Sequence, residues 1–272
     1  MVRSLWSAAT GMNAQQTSLD TIANNLANVN SMGYRSQVAQ FKSLLYQNLQ
    51  SVTTTANGNT KPTSSQVGLG VRTSSINSIF TQGSLLDADS DTAFAIEGNG
   101  FFAVRGEDGE TYYTRNGNFM WALATNGGMT LTDADGRPVL DSRGRAIELP
   151  RTYIVSSITI TDDGQLCYPD ENGNPQPIGT TIGTFQFSNP GGLTRVGDTL
   201  FAVSDASGAA LNEDTTALLT KSTIRQGYLE GSNVQVATEM VNMIVTQRAY
   251  EMNSKAITTS DSMMETANNL KR

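Results

Sequence analysis

All seven prolines of this 272-residue chain lie between Pro62 and Pro190, and no glycine follows Gly231. Proline removes a backbone donor and clashes with the preceding turn, and glycine weakens a helix interior, so both tend to interrupt helices. Long helices therefore fit best at the two ends, and both ends carry a helical pattern. Near the N-terminus Leu5, Ala8, Met12, Gln15, Leu19, Ile22, Leu26 and Val29 recur at spacings of three and four. Near the C-terminus Met240, Met243, Gln247, Tyr250, Ser254, Ile257, Asp261 and Met264 do the same. Such a stripe puts its side chains along one side of a helix, where they can seat into a facing helix.

Neither stripe can stand alone. Gln15 interrupts the first, and Gln247, Ser254 and Asp261 interrupt the second; polar seam positions lower stability but can fix register. At about 1.5 Å per residue each helix would span roughly 37 to 50 Å. A lone helix with a half-polar seam is marginal in water, because packing supplies most helical stability. Two partners fit the pattern: the helix at the other end of the same chain, or neighbouring copies of the chain. The first helix is expected over Ser4–Asn28, ending before Gly33 in a left-handed turn. Gly11 inside it marks either a tolerated weak spot or the close approach of another helix. The second helix is expected from about Asn233, with Ser232 or Asn233 placed to cap it.

Between these ends the chain changes character twice. Gln47 to Gln66 is rich in Ser, Thr, Asn and Gln, with Gly58 and Pro62 and almost no apolar residue. Such a stretch cannot bury enough surface to offset its ordering entropy, and reads as a linker or as a segment ordered by a partner. From Val67 to Gly227 the pattern is β. Runs such as Phe101–Arg105, Thr111–Thr114, Arg145–Leu149, Ser157–Thr161, Thr184–Phe187 and Leu200–Val203 are aromatic or β-branched and are separated by Asx-Gly turns. Strands at this spacing without helices between them suggest antiparallel sheets in a barrel or sandwich. The fold class expected is therefore α+β: long terminal helices forming a coiled-coil region, with an inserted antiparallel all-β domain. The segments are 1–45, 46–66, 67–228 and 229–272.

Composition narrows the function. A net charge of −7 and a pI near 4.6, without a basic cluster, argue against nucleic acid, since phosphate binding depends on Lys and Arg. No apolar run approaches a membrane span, and the first residues lack the apolar core of a cleavable signal peptide. Histidine is absent, which removes the commonest general base near neutral pH, any Ser-His-Asp arrangement and zinc ligation by Cys and His. The single cysteine, Cys167, rules out an internal disulfide.

Three local patterns invite chemistry and support none. Asp133-Ala134-Asp135-Gly136 resembles the start of a calcium loop, but the twelfth position is Gly144 instead of glutamate, so a charged hairpin turn is expected. Asp87, Asp89 and Asp91 read as solvated turn residues. Gly98-Asn99-Gly100 lacks the Lys-Ser/Thr of a phosphate loop and reads as a tight entry beneath Phe101 and Phe102. No catalytic constellation, cofactor site or metal site is expected.

Specific residues then carry a resemblance. Thr10-Gly11-Met12, Ala14-Gln15-Gln16, Asp20 through Asn30, and Gly33-Tyr34-Arg35 closely resemble the N-terminal signature of bacterial flagellar rod and hook axial proteins. Leu229-Glu230-Gly231-Ser232-Asn233-Val234, Glu239 through Ile244 and Gln247 through Glu251 resemble their C-terminal signature. Gly68 through Arg72, Phe80-Thr81-Gln82-Gly83 and Ala95 through Phe102 are similar to central segments of the distal-rod members. The likeness weakens between Trp121 and Leu149, where additional β-hairpin material is expected.

The resemblance implies a structural role without catalysis. In this family the terminal helices pack as coiled coils into the inner wall of a helical tube, and the β-domain faces outward. The polar stretch sits where rod members carry a segment linked to straightness and stiffness. The implied partners are copies of the chain, other flagellar rod and hook proteins, and the flagellar type III export apparatus, with no direct membrane insertion. On this reading the assembly interface comprises Leu5, Met12, Gln15, Leu19, Ile22, Leu26 and Val29 of the first helix. The second helix contributes Met240, Met243, Gln247, Tyr250, Ile257 and Met264.

Overall fold

The computed structural model describes residues 2–50, 65–124, 127–170, 173–197, 199–216 and 219–270. Helix α1 (Val2–Ala27) opens the chain. Four strands follow: β1 (Gln37–Ser43), β2 (Tyr46–Gln50), β3 (Ser65–Gly68) and β4 (Val71–Ser78). Next come β5 (Leu85–Asp87), β6 (Phe94–Glu97), β7 (Phe101–Arg105), β8 (Thr111–Thr114), β9 (Met120–Leu123), β10 (Met129–Thr132) and β11 (Glu148–Leu149). They are succeeded by β12 (Thr159–Ile160), β13 (Gln165–Pro169), β14 (Pro175–Thr181), β15 (Thr184–Gln186), β16 (Thr194–Gly197) and β17 (Leu200–Ala202). After β18 (Leu211–Asn212), β19 (Thr223–Gln226) and β20 (Tyr228–Glu230), helix α2 (Val236–Asn269) closes the chain. The class is α+β.

The chain divides into two compact units. The helical unit comprises Met1–Ala27, Gln37–Ser78 and Gln235–Arg272; the β-rich unit comprises Asn28–Ser36 and Ile79–Val234. In the helical unit α1 and α2 pack beside a two-stranded ribbon. β1 pairs antiparallel with β4, and β2 with β3. The Leu44 amide donates to the Gly70 carbonyl at 2.9 Å and joins the two ladders into one. The two limits of the polar stretch, Gln47 and Gln66, thus lie inside paired strands, and residues 51–64 between them lie outside the described residues. A two-stranded ribbon is marginal alone, and here it is held to α1. Thr10 Oγ1 accepts from the Val71 amide at 3.4 Å, and Gly70 sits so close to Thr10 that no Cβ would fit.

The core of this unit is thin. Among the described residues its buried apolar side chains are Ala8, Ala14 and Ile22, joined by the polar Thr21, Asn25 and Thr246. Two alanines and one isoleucine give little burial against the entropy of ordering two long helices. The unit also exposes Trp6, Phe41, Leu45, Tyr46, Leu49 and Ile76.

The β-rich unit is built the opposite way. All its ladders are antiparallel, and the largest sheet runs β16-β17-β8-β7-β15-β18. Successive residues of β7 point to opposite faces. Phe102 and Val104 enter one cluster with Phe94, Phe119, Leu131 and Leu166; Phe101 and Ala103 enter another with Tyr113, Phe187 and Phe201. Phe102 meets Phe119 edge-on at 5.2 Å, and Tyr113 meets Phe187 at 4.9 Å, both favourable aromatic geometries.

Several expectations need correction. No sheet among the described residues closes into a barrel: β16 and β18 remain edges of the six-stranded sheet, and most strands end after two to five residues at a turn. Of the run Arg145–Leu149 only β11 is strand, because Asp141 draws the backbone into a turn, accepting from the Arg143 and Arg145 amides at 2.7 and 2.9 Å. Val29 lies beyond α1 in a turn, so it shares no helical face with Leu26. Neither Ser232 nor Asn233 caps α2, whose first turn follows Gln235 without a side-chain cap; Ser232 and Asn233 make other bonds.

Other expectations match. Asp135 pairs with Arg137 at 3.1 Å in a turn where Gly136 has φ +82°, and Asp87, Asp89 and Asp91 are exposed, although Asp87 ends strand β5 and does not lie in a turn. Within the stretch from Trp121 to Leu149 the described strands pair as the small sheet β11-β10-β9.

Candidate assembly site

The two helices run antiparallel, and three contacts fix their register. Ser4 Oγ lies 3.5 Å from Ser260 Oγ, and Asn25 Nδ2 donates to Glu239 Oε1 at 3.1 Å. Between them a Cβ on Gly11 would meet Asn253 Nδ2 at 2.9 Å. Gly11 is therefore the close approach of another helix. Along α1 these positions follow a seven-residue period, 4, 11 and 25, and along α2 they answer as 260, 253 and 239. The missing pair, Ser18 and Thr246, lines a groove of about 200 Å³ with Thr21, Ile22 and Asn242. The seam inside the chain is made of small and polar side chains.

A helix advances about 100° per residue, so this seam lies beside the expected stripe instead of on it. Leu5, Met12, Leu19 and Leu26 each stand one residue past Ser4, Gly11, Ser18 and Asn25, about 100° round α1. They are half-buried, as are Gln15 and the displaced Val29, while Ile22 is buried. On α2 the expected residues divide: Met243, Ile257 and Met264 are half-buried, whereas Met240, Gln247 and Tyr250 are exposed. Beyond the expected set, Val241, Ile244, Val245 and Met252 are also exposed, at 59, 58, 61 and 66 %. Ile244 stands two residues from the buried Thr246, about 200° round the helix. The outward side of α2 therefore exposes Val241, Ile244 and Met252 among the charged Arg248, Glu251 and Lys255, and these apolar side chains are uncovered in the single chain.

Asn25 holds the helical unit together. Its Oδ1 accepts from the Gln37 amide and its Nδ2 donates to the Gln37 carbonyl, both at 2.8 Å, so the side chain completes the edge of β1 like another strand residue. The same Nδ2 reaches Glu239 on α2. One buried amide thus joins α1, the ribbon and α2, and a buried amide is stable only when so bonded.

The β-rich unit holds a second constellation, assembled from Gly33–Ser36, Phe80–Gly83 and Leu229–Asn233. Glu230 is fully buried and takes two guanidinium groups: Arg35 Nη2 donates to Oε1 at 2.7 Å and Arg115 Nη1 to Oε2 at 3.1 Å. Oε1 also accepts from the Gly83 amide at 2.8 Å, and the Glu230 carbonyl from the Gly33 amide at 2.8 Å. Burial pushes the pKa of the Arg115 guanidinium down to about 10, opposed chiefly by Glu230, so it stays a cation at neutral pH. Arg115 also donates to the carbonyls of Ile96 and Gly98. Arg195 donates to the Arg35 carbonyl and stacks over Tyr34 and Phe201, 4.9 and 5.5 Å from their ring centres. Burial lowers its pKa as well.

Asn233 completes the constellation. Its Oδ1 accepts from the Ser36 amide at 2.7 Å, and its Nδ2 donates to the carbonyls of Ile79 and Thr81 at 2.9 and 3.2 Å. Gly33 is the steric gate: its φ is +68°, and a Cβ there would meet the Asn116 amide nitrogen at 2.5 Å. Gly33→Ala is expected to destabilise the β-rich unit by about 3 kcal/mol, from left-handed strain plus overlap. Equilibrium urea unfolding checks this; a shift within error of wild type would contradict it.

Residues 5–35 match the family described as flagella basal body rod protein. Residues 95–168 match the flagellar hook protein FlgE/F/G D1 domain, a span that includes the β9–β11 sheet, and residues 225–270 match the C-terminal region of flagellar basal body rod FlgEFG proteins. The flagellar basal-body rod protein FlgG of Borreliella burgdorferi is 42% identical over 274 residues, covering 100% of both chains. That of Bacillus subtilis is 36% identical over 272 residues, again covering 100% of both. The flagellar hook-basal body complex protein FlhP of Bacillus subtilis is 31% identical over 277 residues, with 100% of both covered. The constellations built on Asn25, Arg35, Glu230 and Asn233 lie within the matched terminal segments, and with relatives of this identity aligned end to end the chain belongs to the flagellar basal-body rod protein family.

Proposed function

We propose that the chain is a structural subunit of the bacterial flagellar distal rod, self-assembling through its terminal helices into a helical tube that transmits motor torque to the hook. One observation carries the reading beyond family membership: among the described residues the helical unit has almost no apolar core of its own, and α2 leaves Val241, Ile244 and Met252 uncovered. Neighbouring copies that cover these side chains, and the half-buried stripe Leu5, Met12, Leu19 and Leu26 beside the buried Ile22 on α1, supply the missing burial. Met240, Met243, Gln247, Tyr250, Ile257 and Met264 are the counterpart positions on α2. The helices then become coiled coils between subunits, and heterologous contacts that do not close into a ring extend into a filament.

On this reading the chain works without catalysis, cofactor or metal, beside other flagellar rod and hook proteins in the basal body. It reaches that site through the flagellar type III export apparatus as an unfolded chain, which suits a thin helical core and a lone buried cysteine.

The alternative within the family is a hook or other rod protein. Deletion of residues 47–62 separates them, although most of these positions lie outside the described residues. A distal-rod subunit lacking them is expected to form a more curved, more flexible tube, measured by electron microscopy of filaments; an unaltered straight rod would count against the assignment.

A further inference from the structure

The chain passes between its two units at four places: Ala27 to Asn28, Ser36 to Gln37, Ser78 to Ile79, and Val234 to Gln235. Three of the four ends on the β-rich side are bonded to one another. The Ile79 amide donates to the Ser36 carbonyl at 2.8 Å, the Ser36 amide to Asn233 Oδ1 at 2.7 Å, and Asn233 Nδ2 to the Ile79 carbonyl at 2.9 Å. The segment entering from α1 is tied to the same place by the Gly33 amide on the Glu230 carbonyl. Behind them the Glu230 carboxylate holds Arg35 and the Gly83 amide.

We propose that Asn233, backed by Glu230, is a mechanical clasp that binds the connecting segments into one load-bearing joint, so that twist entering one segment is shared by all of them. A single connecting chain resists torsion poorly, because every residue contributes two soft dihedrals. Segments bonded side to side cannot turn independently. The Asn233 side chain suits this role because its acceptor reaches Ser36 while its donors reach Ile79 and Thr81, which ties its own segment to two others. It does not cap α2, so its bonds are free of any duty in the helix.

The inference rests on the rod reading, and the test separates the two. Full-length Asn233→Ala and the milder Thr81→Val, which removes the 3.1 Å contact of Asn233 Nδ2 with Thr81 Oγ1, are placed in a flagellated host deleted for its own copy. In the purified variants, hydrogen exchange at the Ser36 amide is expected to accelerate about tenfold or more for Asn233→Ala. Rods are expected to form, and swimming in dilute medium to be unchanged. Swimming in viscous medium, where torque is high, is expected to fail earlier than with wild type, with Thr81→Val in between.

Wild-type performance under load by a variant whose Ser36 amide has lost protection would overturn the clasp, as would unchanged exchange in Asn233→Ala. If Asn233→Ala does not fold, Thr81→Val alone decides by the same two readouts. A wild-type chain that restores no rod would overturn the rod reading, leaving the exchange result to judge the clasp.

Discussion

Glu230→Ala is expected to cost the β-rich unit about 3–5 kcal/mol, the range for removing one partner from a buried ion pair. The carboxylate is fully buried and is the counter-charge to both Arg35 and Arg115, at 2.7 and 3.1 Å. Without it two cations remain inside the protein with Glu213 as the remaining buried acid near Arg115. The Gly83 amide loses its acceptor as well. Glu230→Gln keeps the shape and one acceptor but removes the charge, so it should recover only part of the loss. Arg35→Met should cost less than Glu230→Ala, because Glu230 keeps Arg115 and the methionine fills the space.

Urea unfolding followed by tryptophan fluorescence measures this cleanly. Trp6 belongs to the helical unit and Trp121 to the β-rich unit, so a Trp6→Phe background makes Trp121 the reporter. A Glu230→Ala midpoint equal to that of Arg35→Met would show that the charge pairing contributes little.

The strands that were legible from sequence are those whose side chains announce themselves. β7 and β8 fall on the runs Phe101–Arg105 and Thr111–Thr114, because aromatic and β-branched residues with turns between them leave few alternatives. The helices were legible from the placement of glycine and proline. The seam between them was not: apolar periodicity points to Leu5, Met12, Leu19 and Leu26, while close antiparallel packing selects the small residues one position earlier. Ser4, Gly11 and Ser18 carry no hydrophobic signal, and their seven-residue spacing is visible only once the partner helix is known.

The polar constellations were hidden for another reason. Glu230 and Arg35 are 195 residues apart, and a charged pair at that separation has no local pattern. The sequence offers Ser232 or Asn233 as a helix cap, because serine or asparagine before a helix usually is one; the helix instead starts after Gln235, which frees Asn233 to bond Ser36 and Ile79. Nothing in the sequence around Asn25 marks a bond to a strand, and its role exists only with β1 placed against it.

Ile244→Asp is expected to leave the folded single chain intact and to abolish assembly. Ile244 is 58 % exposed, so the monomer loses little burial, and exposed substitutions of this kind usually change stability by less than about 0.5 kcal/mol. In a tube where neighbours cover α2, the same change removes the burial of one isoleucine, about 1.5–3 kcal/mol, and adds the cost of desolvating a carboxylate. Each 1.4 kcal/mol is tenfold in an association constant, so the critical concentration should rise by about 100-fold or more. Leu19→Asp and Ile257→Asp should also block assembly, but both positions are half-buried and will loosen the helix pair as well. Leu123→Asp is the control: Leu123 is 73 % exposed on β9, away from both helices in sequence, and its replacement should leave assembly unchanged. Sedimentation of polymer from monomer over a concentration series, with circular dichroism of the monomer, reads all four variants. Polymer forming at the wild-type concentration with Ile244→Asp would mean that the outward face of α2 is not what neighbouring subunits cover. A monomer unfolded by the same change would mean that this face already serves the single chain.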